Sequence, residues 1–286
     1  MRTNGWSGPG HQLGGAIAYY YLKDHKPEVI AKVIATLQNH PWLSNTWNDK
    51  LAGLSPEQKD VALFMLASTF PDDARSTPYG NGNRSKWHYT NYPYSPDNTA
   101  TAPPQEINAE EKLISLISGL KGAKENKNKA IEICWLFHIL EDIHQPLHTA
   151  ALFDAAHTKG DRGGNDTYFH FTESGTPIKL HSFWDRLPKG TFANIPQQAQ
   201  DLLKLAQYQA SALPELDSHQ TVNAWIKDES LPLAISVVYL NGKLRGTEGD
   251  PAIVDESYSS EAYKVAERRV VLSGIRLGME LIKIYS

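Results

Sequence analysis

Cysteine is nearly absent: Cys134 is the only one in 286 residues, which rules out an internal disulfide and a cysteine-ligated metal cluster. Long apolar runs are missing as well, and none approaches the length a bilayer-spanning helix needs. Basic charge is not in excess. With 28 Lys+Arg against 32 Asp+Glu the formal charge is −4 with histidines neutral, so a polyanion would have to be held at a local positive site, not on a broadly basic surface. No Gly/Ser/Pro linker, internal repeat or low-complexity tract divides the chain, and one unit over residues 6–286 is expected. The opening Met1–Gly5 lacks the apolar segment of a secretion signal and reads as a leader remnant or extension.

The residues present describe a packed globular chain, 41% hydrophobic and 21% charged, with a mostly helical pattern. Apolar spacing marks helices at Pro27–Gln38, Pro56–Ala67, Ala109–Leu120, Lys129–Asp142, Gln197–Ala212, Val222–Tyr239 and Ser259–Ile284, with another following His11. Ser55-Pro56-Glu57 looks like an N-cap followed by proline at the first helical position. The fold class expected is all-α, with at most a short hairpin near Tyr168–Phe171. The stretches Thr77–Gln105 and Thr149–Lys179 are too long for plain connectors and are the expected carriers of a site.

Ile131–His148, IEICWLFHILEDIHQPLH, is the stretch around which the rest is organised. It has the apolar character of a buried helix, yet three histidines and the adjacent acids Glu141 and Asp142 interrupt it where a core does not tolerate them unpaired. His138 and Asp142 are four apart and project from one helical face, where both can grip one ion. His148 lies about 280° further round an uninterrupted helix, and Pro146 disturbs the turn between, so His148 is expected to serve a different ion. His181 and Asp185 repeat the spacing, and Trp6, His11, Asp72, Arg75 and His88 stand in short motifs of their own. Histidine and carboxylate together suit zinc, bound at about 2.0–2.2 Å. Taken alone, each such pair is more commonly a hydrogen bond or weak ion pair. His144 is expected to hydrogen-bond a ligand or the backbone. His25, His40, His157, His170 and His219 carry no pattern and are expected to be surface or packing residues.

The conjunction is more specific than its parts. Trp6-x4-His11, Asp72-x2-Arg75, Trp87-His88-Tyr89, His138-x3-Asp142-Ile-His-Gln-Pro-Leu-His148, Gly163-Gly-Asn165 and Leu180-His181-x2-Trp184-Asp185 together resemble the zinc-dependent single-strand-specific nucleases, almost end to end. Trp225–Ser230 and Ala266–Gly278 resemble that family's last helices. Two residues depart from the pattern: Glu141 stands where glycine is usual, and Arg186 where fungal members place part of a base pocket. The fungal and plant disulfides are missing too, which fits a bacterial member.

The resemblance implies a fold shared with zinc phospholipase C and a cofactor of three Zn²⁺. Asp72, His88, His138 and Asp142 would hold one ion, Asp142 would bridge to a second held by Trp6 and His11, and His148, His181 and Asp185 would hold the third. It implies an endonuclease acting on single-stranded DNA and RNA, and on 3′-nucleotides, with 5′-phosphate products. Asp72 would orient the attacking water and Arg75 would bind a phosphoryl oxygen. It also implies secretion or a periplasmic location, a chain starting at Trp6, and no protein partner. Tyr89, Tyr92, Tyr94, Tyr168, Phe169 and Phe171 are candidate stacking faces for an unpaired base. Two alternatives stand beside this: a zinc phospholipase C acting on lipid headgroups, and a zinc- or phosphate-binding protein without turnover.

Overall fold

The computed structural model describes residues 6–173 and 175–286; the expected leader Met1–Gly5 lies outside the described residues. About 59% of the described residues are helical and 5% are strand, in keeping with the helical periodicity. The chain opens with α1 (Gly8–His25) and α2 (Pro27–Leu37), each with proline in its first turn. A short α3 (Asn48–Leu51) leads to α4 (Pro56–Asp73), where Ser55 and Gln58 form a reciprocal capping box. In α5 (Ala109–Leu120) and α6 (Lys127–Asp142), Asn108 and Asn126 accept the orphan N–H groups of the first turn. Then follow α7 (Leu180–Asp185), α8 (Ile195–Lys204), α9 (Glu215–Ser218), α10 (Val222–Ala224), α11 (Leu231–Leu233) and the long α12 (Ser257–Tyr285).

The layering follows from small residues on α1, which packs against α4, α8 and α12. A Cβ on Gly15 would come within 2.7 Å of the Phe64 carbonyl, and one on Gly274 within 2.6 Å of Ile17. Backbones can approach this closely only without side chains at those positions. Helix α6 lies behind this layer against α4 and α5. Its residues Ile133–Asp142 are all buried, so any polar group on it must be satisfied within the protein.

Three expectations need correction. The helix expected over Gln197–Ala212 ends at Lys204 and continues as 3₁₀ turns. Leu205 is extended there, and the Gln209 side-chain amide takes the Leu203 carbonyl at 2.7 Å in place of a helical N–H. The segment Val222–Tyr239 is helical up to Val238, but α11 is flanked by π-helical turns at Trp225–Ser230 and Ala234–Val238. Pro232 has no N–H for the carbonyl one turn back, and a wider turn accommodates its ring. Finally, strand structure goes beyond a short hairpin. The hairpin is present as β3 (Tyr168–His170) with β4 (Ile178–Lys179), and β5 (Ala252–Ile253) joins β3 in parallel; β1 (Tyr92–Tyr94) and β2 (Ala150–Leu152) form a separate parallel pair. Strands of two or three residues are too short to show an alternating pattern.

Candidate metal centre

Residues from distant elements converge at the C-terminal end of α6. His138 and Asp142 project from its last turns, with Asp72 from the end of α4, His11 from α1, and His88 from the end of a 3₁₀ segment, Gly82–His88. Their donor atoms form two groups, His11–His138–Asp142 and Asp72–His88–His138, and His148, His181 and Asp185 form a third; within each group the atoms lie within 4.8 Å of one another. The two oxygens of Asp142 face different neighbours. Oδ2 is 3.0 Å from His88 Nδ1 and 3.1 Å from His138 Nε2, while Oδ1 is 3.4 Å from His11 Nε2.

Ring orientation is fixed from behind. His138 Nδ1 donates to the Ser68 carbonyl at 2.8 Å, His181 Nδ1 to the Gly163 carbonyl at 2.5 Å, and His148 Nδ1 to the His88 carbonyl. His11 Nδ1 is instead 2.6 Å from the carboxylate of Glu141. Each of these four rings therefore turns Nε2 toward the site; His88 is the exception and presents Nδ1. Among the described residues, His11 Nε2, His148 Nε2 and Asp142 Oδ1 are buried without a hydrogen-bond partner, an arrangement that suits a cation.

The loops supply the remaining constraints. Thr90 N–H donates to the His148 carbonyl and Tyr92 N–H to the Thr149 carbonyl, both at 2.8 Å, so the β1–β2 pairing locks the His88 segment to the His148 segment. Gly163 and Gly164 both have positive φ, 65° and 77°, and the turn they form offers its carbonyls to His181 Nδ1 and to the His181 N–H. Asp161 holds that turn, its carboxylate accepting from Gly164 N–H, Thr167, Tyr239 and Leu152 N–H. The side-chain amide of Gln145 donates to Asp185 Oδ1 at 2.8 Å. Asp161, Gln145, Ser68 and the role of Glu141 were not singled out from the sequence. Only Gln145 and Glu141, inside the central motif, carried any local signal.

Electrostatics in the cluster are strained by crowded acids. Burial alone would raise the Asp142 carboxyl, but His138 and His148 bring it well below the ordinary range. Burial pushes Asp185 well above that range, helped by the charges of Asp142 and Asp72. Burial lowers His88 to about 4 and also lowers His148. Burial acts against the charge of His11 as well, yet Asp142 and Glu141 raise it to about 10. Neutral His88 and His148 offer nitrogen lone pairs, and a cation among these carboxylates would relieve their repulsion.

Arg75 donates Nε and Nη2 to the same oxygen of Asp72, Oδ1, at 2.8 and 2.5 Å. Both residues line a cleft of about 540 Å³, with Lys50, Asp73 and Gln12 around it. Trp6 is fully buried, and the N–H of Ser7 donates to the Asp185 carbonyl at 2.8 Å, which sets Trp6 beside the third group. Among the candidate stacking faces, Phe169 is excluded because it is fully buried against Phe171, Phe183 and Tyr258. Tyr92 is tied to Glu110 with Lys227 over its ring, and Tyr94 packs on Tyr239. His144 bonds the Leu140 carbonyl through Nδ1 at 2.7 Å and accepts from Arg276 through Nε2 at 2.8 Å, so it turns its back on the three groups. His40 is a packing residue stacked on Trp47, its pKa lowered to about 3 by burial.

The model of the S1/P1 Nuclease family matches residues 6–286, which takes in every candidate ligand. The chain belongs to the S1/P1 nuclease family. It is similar to Endonuclease 3 of Arabidopsis thaliana, 25% identical over 299 residues, covering 98% of this chain and 89% of the relative. Endonuclease 5 of the same plant is 25% identical over 301 residues, covering 98% and 90%, and Endonuclease 4 is 27% identical over 263 residues, covering 82% and 80%. As an S1/P1 nuclease the chain is a metal-dependent hydrolase of phosphodiester bonds in nucleic acid. Among the described residues no helix is long and apolar enough to cross a membrane.

Proposed function

We propose that residues 6–286 form one catalytic unit, a trinuclear zinc endonuclease that cuts single-stranded DNA and RNA to 5′-phosphate products and also removes the phosphate of 3′-nucleotides. The observation that supports it most is the convergence of three His/Asp donor groups around Asp142, whose two oxygens face separate imidazoles. Nitrogen and carboxylate oxygen without thiolate is a zinc donor set of the catalytic kind. Zinc bound there supplies positive charge and a water acidic enough to attack phosphorus at neutral pH.

The chain's own groups do the rest. Asp72 Oδ1, 3.5 Å from His138 Nε2 and held by Arg75, would share in holding the metal, and the Asp72 carboxylate would orient the attacking water. Arg75 faces the same cleft and binds a non-bridging phosphoryl oxygen as charge accumulates. Lys50, on the cleft wall, meets a neighbouring phosphate of a longer strand. An unpaired base enters the cleft without the unstacking cost that a duplex imposes. In a form of the chain that begins at Trp6, that residue would complete the ligand set through its amino nitrogen and carbonyl oxygen. A peptide nitrogen there would be a poor ligand, its lone pair being delocalised.

Assays after zinc loading test the reading, using single-stranded DNA, RNA, duplex DNA, 3′-AMP and phosphatidylcholine side by side. Turnover of the first two and of 3′-AMP, with duplex DNA cut far more slowly, is expected. Hydrolysis of phosphatidylcholine alone would assign the site to lipid headgroups, and no turnover of any would make it a binding site. Intact mass and zinc content of protein starting at Met1 and at Trp6 test the terminal ligand. Three zincs in the Met1 form would remove it.

A further inference from the structure

Of the four site imidazoles that turn Nε2 inward, His11 is the one whose Nδ1 rests on a carboxylate. His138, His148 and His181 rest on backbone carbonyls, whereas His11 Nδ1 lies 2.6 Å from Glu141 Oε2. Glu141 is fully buried, and its other oxygen, Oε1, accepts from the Ser68 hydroxyl at 2.8 Å. Space for it has been made on α1, because a Cβ on Gly14 would come within 2.7 Å of Oε1. Helix geometry does the rest. His138, Glu141 and Asp142 are i, i+3 and i+4 on α6, so consecutive residues grip opposite edges of one ring: Glu141 holds Nδ1, and Asp142 Oδ1 lies 3.4 Å from Nε2. The ring also stacks on His138, centroids 4.0 Å apart.

We propose that Glu141 is a positioning residue that fixes His11 with its proton on Nδ1 and its lone pair on Nε2, and so strengthens the one metal shared by His11 and Asp142. The inference rests on the reading of the three donor groups as metal sites. A carboxylate behind an imidazole makes the far nitrogen a stronger donor than a carbonyl does, and adds negative charge close to the cation. Loss of such a partner typically weakens metal affinity by about 10–100-fold. Ser68 keeps Glu141 oriented, and its carbonyl anchors His138, so one residue of α4 steadies two ligands.

The test uses zinc-loaded wild type, Glu141→Gln and Glu141→Ala, titrated with a chelator while bound zinc is counted. Gln keeps the volume and an acceptor for the Nδ1–H but not the charge, so it guards against a variant that merely fails to fold. One of three zincs is expected to leave Glu141→Gln at about 10-fold, and Glu141→Ala at up to about 100-fold, lower chelator than in wild type, the other two moving by no more than about threefold. The downfield proton resonance of the His11 Nδ1–H should be present in metal-loaded wild type and lost in Glu141→Ala. Release of all three zincs together, or of none earlier than in wild type, would overturn the role of Glu141. Wild-type protein that takes up no zinc would instead overturn the metal reading beneath it.

Discussion

Gln145 donates its side-chain N–H to Asp185 Oδ1 at 2.8 Å, joining the turn after α6 to the end of α7. The same side chain uses its oxygen to accept the Leu147 N–H at 2.6 Å. Gln145 therefore fixes both the turn that delivers His148 and the carboxylate that faces His181. Gln145→Ala is expected to weaken the site formed by His148, His181 and Asp185 by about 10–100-fold, with the ions near Asp142 retained. Zinc counting on the dialysed variant checks this; three zincs held as tightly as in wild type would refute it.

Asp142 lies between groups. Asp142→Asn should remove more than one zinc, because one oxygen faces His88 and His138 and the other faces His11. Metal analysis decides the matter, and loss of one ion or fewer with activity intact would exclude a bridging role.

Arg75 has a local partner in Asp72, so its value to the reaction needs separating from its value to the fold. Arg75→Ala is expected to keep all zincs and to lower kcat by about 100-fold or more with little change in KM, as for a contact made chiefly in the transition state. A rise in KM alone would restrict Arg75 to holding substrate.

Glu229 sits among two buried arginines. Its Oε2 accepts from Arg269 and from Arg276 Nη1, and its Oε1 from Arg276 Nη2 at 2.6 Å. Arg269 also reaches the His144 carbonyl at 3.2 Å, which ties the cluster to the turn after Asp142. Burial acts to raise the Glu229 carboxyl, but the Arg276 hydrogen bond and the Arg269 charge hold it below its ordinary 4.5. Because the folded value is depressed, its stabilisation is complete above pH 4.5 and is lost as pH falls through the lower folded value. Glu229→Gln should cost about 3–5 kcal/mol at pH 7, leaving two buried cations without their counter-ion. The difference from wild type should shrink below pH 4.5. Urea unfolding of both proteins at pH 7 and at pH 3.5 checks both statements, and an equal difference at the two pH values would exclude Glu229 as the titrating group.

The sequence by itself determined the helices whose apolar spacing and caps are local, such as Ala109–Leu120 and the reach of α6 to Asp142. It also placed His138 with Asp142, because the angle between two residues of one helix depends only on their spacing; His148 lies beyond the end of α6, on the turn that follows. The strongly ordered motifs sufficed for the family. Tertiary structure decided what depends on partners far along the chain. The β1–β2 pair that locks His88 to His148 is three residues long and has no pattern of its own. Phe169 looked like a stacking face until packing buried it. Glu141 read as a departure from a family pattern until α1 brought His11 and Gly14 against it. A ring's orientation is set by an atom behind it, and that atom can come from anywhere in the chain.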